Sequence, residues 1–168
     1  MSSQPAPESG RLPLPARMLT SQVVAVLPDE PVASMMAPVE VMLQEGIQVF
    51  SLPAGDVERL TTLHTIFGAR GSFGVHGVID PDGIDALIAT GIEFALPVGP
   101  ALVELAPGVP CLPRGGVGSY ALRKWISSGA PAACLDEILV GDACTDSALP
   151  ALRERCRSVL AVIADERA

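Results

Sequence analysis

Four groups of residues in this 168-residue chain have the types and spacing that chemistry requires. The first lies in CLPRGGVGSYALRKW, residues 111–125, where an apolar run ends in Arg114, Gly115 and Gly116 before a helical pattern begins. Two bared backbone amides at a helix start, with a guanidinium beside them, suit a phosphate or a carboxylate. The same glycines equally suit a plain strand-to-helix turn that needs backbone freedom. The second is His76, near the end of SFGVHGVI (72–79). Its ring titrates near neutrality, so it is the best general-base candidate, the alternative being a hydrogen-bonded structural histidine. The third is Ser51, which closes the run IQVFSL (47–52) as a ligand-contacting candidate. A serine nucleophile needs an adjacent base and a strained turn, and the local sequence supplies neither. The fourth is Lys124, the only lysine in the chain.

A lysine that forms an imine must sit in a desolvated site that lowers its pKa. With Leu122 at the origin of a helical wheel, Ile126 lies about 40° away and Lys124 about 200° away, at about 100° per residue. Lys124 is therefore expected on the outer side, beside Arg123, as a surface charge. His64 falls in the middle of a helical pattern and reads as structural or surface. Asp80 and Asp82 read as a helix cap and a first-turn acid. No Asp, Glu and His set has the spacing of a metal site, and no cofactor is expected.

The elements that must position these residues alternate along the chain. Residues 1–17 are rich in Pro and Ser and lack a period, so a disordered tail is expected there, with one domain over 18–168. Apolar runs at 22–27, 47–52, 72–79, 92–98, 109–113 and 131–135 read as buried strands. Between them, one-sided apolar patterns at 32–45, 56–67, 81–91, 119–128 and 148–164 read as helices. Pro38 falls inside the first of these and is expected to split or kink it. Short apolar strands alternating with one-sided helices mean βα units and a parallel sheet, so the class is α/β. Ligands in such folds bind at the carboxyl ends of the strands, where Ser51, His76 and the Gly-Gly loop fall.

Composition narrows the function classes. Hydrophobic residues make up 49% and charged residues 18%, as in a globular core rather than a disordered chain. The net charge of −8 argues against nucleic acid or an acidic membrane surface as a partner. Cys111, Cys134, Cys144 and Cys156 form no CxxC pair and read as reduced, mostly buried thiols. No run has the length of a membrane span, and the first residues lack a signal-peptide pattern, so a cytoplasmic protein is expected.

With these elements placed, the chain resembles the 2-keto-3-deoxy-6-phosphogluconate (KDPG) and 2-keto-4-hydroxyglutarate (KHG) aldolase family. MLTSQVVAVL matches its first strand, and LQEGIQVFSL falls where that family has a GG-hydrophobic-EVTLR stretch. GVHGVIDPDGIDALIATGIEFALPVGP resembles GAGTVL…AGAxFxxSPG, and LPRGGVGSYALRKWI resembles the PTGGI phosphate loop and the next helix. The resemblance spans roughly residues 18–163 and implies a (β/α) barrel of the class I aldolase type, shortened by about two βα units between residue 100 and the Gly-Gly loop. An alternative alignment places VPCLPR on the family's fifth strand. The family's catalytic glutamate falls at Ser51, its arginine at Gly55, the threonine of GAGT at Gly77, and the second half of the phosphate site at Asp136 and Glu137. Its Schiff-base lysine has no counterpart in either alignment. The resemblance thus implies an aldolase-like protein that has lost Schiff-base lyase activity and is retained for binding or for assembly with a partner protein. Non-covalent chemistry at His76 on a 2-oxo acid or sugar phosphate, and an aldolase with a borrowed lysine, are the other readings. A shortened barrel leaves strand edges to cover, so a homo-oligomer, trimer or dimer, is expected.

Overall fold

Runs of Val, Ala, Leu and Phe with turn residues at both ends can bury both of their faces, and here they form one parallel sheet. The structure is a computed structural model and describes residues 12–77, 80–97, 109–112, 119–146 and 148–167. A short helix α1 (Ala16–Ser21) opens the fold, two residues inside the expected tail. Then follow β1 (Val23–Val26), α2 (Val32–Glu45), β2 (Val49–Pro53), α3 (Val57–Phe67) and β3 (Ser72–Gly77). A 3-10 turn (Pro81–Gly83) leads into α4 (Ile84–Ala89) and β4 (Ala95–Pro97). The chain resumes with α5 (Ser119–Ser127), β5 (Ala133–Leu135), a short α6 (Ala143–Asp146) and the long α7 (Leu149–Arg167).

The strand order is β4-β3-β2-β1-β5, and every pairing is parallel. The expected strand at 109–113 is instead a single parallel bridge from Cys111 to Ala95, on the outer side of β4. Prolines at 110 and 113 explain this, since each removes a ladder donor.

The alternation of the strands separates two apolar layers. Val23, Ala25, Phe50, Leu52, Phe73 and Val75 pack against α2, α3, α5 and α7 on one face. Phe50 and Phe73 stack there with centroids 5.3 Å apart. Val24, Val26, Val49, Leu96 and Cys134 form the other face, covered by Met18 of α1. Gly46 ends α2 in a left-handed turn at φ +104°, with its amide and that of Ile47 closing onto Leu43 and Met42. Pro38 does not split α2, which runs unbroken from Val32 to Glu45 with Pro38 buried. Burial of its ring against the core offsets the lost helical hydrogen bond.

Candidate functional site

Ser51 and His76 stand 25 residues apart in sequence, and the β2–β3 register brings them together. Ser51 pairs with Gly74 and Pro53 with His76, so the two side chains share one face, a diagonal step apart. Ser51 Oγ and His76 Nδ1 form a hydrogen bond of 2.8 Å. Ser51 is fully buried and His76 is 8% exposed. Their face is the one lined by Val24, Val26, Val49 and Leu96, so the pair is polar in apolar surroundings.

Gly74 on β3, which pairs with Ser51, makes room for Phe94. A Cβ there would stand 2.5 Å from the Phe94 carbonyl oxygen and 2.7 Å from two of its ring carbons. The Phe94 backbone and ring thus lie directly against the glycine, in space that any side chain at 74 would need. Backbone hydrogen bonds tie the same ends together: Leu27 N–H donates to the Ser51 carbonyl, and Ala54 N–H to the His76 carbonyl.

A residue that spacing did not single out holds the loops above β1 and β2. Arg59, on the first turn of α3, is 5% exposed. Its Nη1 donates to Asp29 Oδ1 at 2.9 Å and to the Glu30 carbonyl at 2.8 Å, and Nη2 reaches the Pro53 carbonyl at 3.5 Å. It therefore braces the β1–α2 and β2–α3 connections at the carboxyl end of the sheet. The signal was present only as a charge at position 59 beside Leu60 and Leu63, which face the core. Asp56 caps the same helix by accepting from the Arg59 amide at 3.0 Å.

Lys124 is exposed on α5, whose Leu122 and Ile126 are buried in the helical layer. Its helix packs on β5 and α7, on the face of the sheet opposite to Ser51 and His76. Arg114, Gly115 and Gly116 lie outside the described residues. Asp136 and Glu137 are exposed after β5; Asp136 Oδ1 accepts from the Glu137 amide, and its carbonyl accepts from Leu139 and Val140. Asp136 thus caps a turn. Asp80 accepts from the Asp82 amide at 3.0 Å and caps the 3-10 turn that precedes α4, rather than α4 itself. His64 is half-buried on α3 against Gly91. A groove of about 300 Å³ lies between α5 and α7, lined by Leu122, Ile138, Val159 and Val162, in the helical layer and apart from the Ser51–His76 pair.

No family model matches the chain, and no curated protein matches it. Solved structures do. A native KDPGal structure shares 14% identity, with 86% of this chain and 95% of that chain covered, at a TM-score of 0.68. The KDPG aldolase of Legionella pneumophila, with pyruvate captured at low pH as a covalent carbinolamine intermediate, shares 18% identity over 86% of this chain and 96% of its own, at 0.62. A cube-shaped, porous protein cage designed by fusing symmetric oligomeric domains shares 14% identity over 87% and 73%, at 0.69. Identities this low speak to architecture alone, and on that evidence the chain has the parallel α/β fold of the KDPG aldolases.

Proposed function

We propose that this protein is a shortened relative of the KDPG and KHG aldolases that performs no Schiff-base chemistry and is kept for binding a 2-oxo acid or sugar phosphate, or for assembly with a partner. The observation that carries the reading is the position of Lys124, the sole lysine, exposed on the helical layer. Imine formation needs a lysine in a desolvated site beside the substrate, and an exposed side chain on the helical layer is in neither position. Ser51 on β2, where the family's glutamate falls, supports the same reading, because a hydroxyl cannot replace a carboxylate as a general acid and base at neutral pH. The bridge at Cys111 beside β4 and the pairing of β5 with β1 fit a barrel lacking about two βα units. The edges of such a sheet need a cover, which favours a homo-oligomer.

Incubation with pyruvate and borohydride, followed by intact-mass measurement, tests this directly. The expected result is an unmodified chain. A stoichiometric adduct on Lys124 overturns the proposal.

One observation favours a second reading, an enzyme with non-covalent chemistry at His76: the buried hydrogen bond to Ser51 gives that ring a fixed partner. Thermal shift against pyruvate, 2-oxoglutarate and sugar phosphates separates the two. Stabilisation that His76→Ala abolishes supports a ligand site at His76, whereas no shift with any of them leaves assembly as the role.

A further inference from the structure

We infer that Ser51 donates its hydroxyl proton to His76 Nδ1, so that the neutral ring carries its own proton on Nε2 and acts as a hydrogen-bond donor rather than a base. The argument is one of satisfying every polar group. A hydroxyl has one proton to place, and a neutral imidazole has one donor and one acceptor nitrogen. Ser51 is fully buried, so bulk water cannot take that proton. Its register neighbours on the flanking strands are Val26 and Gly74, whose side chains offer no acceptor. The one hydrogen-bond partner that its Oγ has among the described residues is His76 Nδ1, at 2.8 Å. Were the ring to donate instead, Oγ would accept and its own proton would be stranded in an apolar layer. Donation by Ser51 uses the lone pair of Nδ1 and fixes the tautomer. Ser51 is then a positioning residue that holds the His76 ring in one tautomer.

This assignment changes the ligand chemistry and rests, for that part, on the second reading above. A ring with Nε2–H cannot take a proton from a substrate carbon through that nitrogen. It donates to an acceptor oxygen, such as the carbonyl or carboxylate of a 2-oxo acid, and polarises it.

Long-range proton–nitrogen NMR of the ¹⁵N-labelled full chain reads the ring tautomer at pH 8 without any ligand. The chain has two histidines, so a His64→Gln variant assigns the signals. The expected wild-type pattern is that of a single Nε2–H tautomer for His76. Ser51→Thr, which keeps the hydroxyl, is expected to preserve it, and Ser51→Ala to replace it with a mixture. A wild-type Nδ1–H pattern overturns the inference, as does an Ala variant indistinguishable from wild type. If the Ala variant does not fold, the wild-type and Thr spectra decide. Addition of pyruvate is a separate arm: an unmoved His76 signal with the expected tautomer in place sinks the binding reading and leaves the Ser51 assignment standing.

Discussion

Replacing Arg59 separates what its charge contributes from what its bulk contributes. Arg59→Ala removes the hydrogen bond to the Glu30 carbonyl at 2.8 Å, a charge-assisted contact of about 1.5–3 kcal/mol. The ion pair adds little, because the Asp29 side chain is 84% exposed and its partner charge is largely screened, for about 0–1 kcal/mol. The Pro53 contact at 3.5 Å is too long to count. Truncation also empties the space of two buried methylenes, about 0.8 kcal/mol each. These losses add to about 3–5.5 kcal/mol before the buried Nε is counted. Arg59→Met keeps the aliphatic stem, and it removes Nε, which is buried with no acceptor among the described residues. Both variants remove that stranded donor, which returns about 1–3 kcal/mol to each, so Ala is expected to lose about 2.5 kcal/mol and Met about 1 kcal/mol, the difference being the stem. Urea unfolding followed by circular dichroism measures both. With a slope of about 2 kcal/mol/M, Arg59→Ala lowers the midpoint by about 1–1.5 M and Arg59→Met by about 0.5 M. Equal losses in the two variants would refute the reasoning, since the guanidinium and not the stem would then dominate.

Three further outcomes follow from the same geometry. Glu45 ends α2 and accepts from Arg157 and Arg153 of α7, and Glu40 pairs with Arg70; these hydrogen bonds hold both carboxyls below their ordinary 4.5. Their stabilisation is present above pH 4.5 and is lost as pH falls through the lower folded-state values, so the urea midpoint is expected to drop below pH 4.5. A Glu40→Gln, Glu45→Gln double variant should flatten that drop, and an unchanged slope counts against the assignment. Gly74→Ala forces a Cβ against the Phe94 backbone and ring and should cost about 1–3 kcal/mol in urea unfolding, with perturbed His76 ring signals; a neutral result means that the Phe94 ring is not fixed there. Burial pushes the thiols of Cys144 and Cys156 up to about 11, with the charges of Glu30 and Glu45 adding to it. Peptide mapping after iodoacetamide at pH 8 should find both unmodified in the folded protein and alkylated in urea, and labelling of either one faster than unfolding contradicts that environment.

The strands were legible because their burial on both faces writes continuous apolar runs, as in QVVAVL and IQVFSL. A helix end was legible where one residue decides it, as Gly46 does for α2. Pro38 misled, because local backbone preference suggests a break that packing against the core overrides. The strand at 109–113 misled the other way: its apolar composition was right, but two prolines limit its pairing to a bridge. The Ser51–His76 contact could not be read, since it depends on register between two strands and neither residue has a local partner. Arg59 was missed for a related reason: a charged residue in a helical pattern reads as exposed until the loops that cover it are known.

The pairing of β5 with β1 sets a constraint on how this protein acquires its shape. Val23 meets Ala133, and the backbone at Gln22 accepts from Ala133, while Arg167 donates to the Thr20 carbonyl. During synthesis one border of β1 stays bare until residues 133–135 leave the ribosome, and α7, which covers α2, emerges later still. Closure of so wide a loop delays the final step and leaves a sticky nascent strand in the meantime. Truncation within α7 is expected to be poorly tolerated, because it uncovers the apolar face of α2 that α7 packs against.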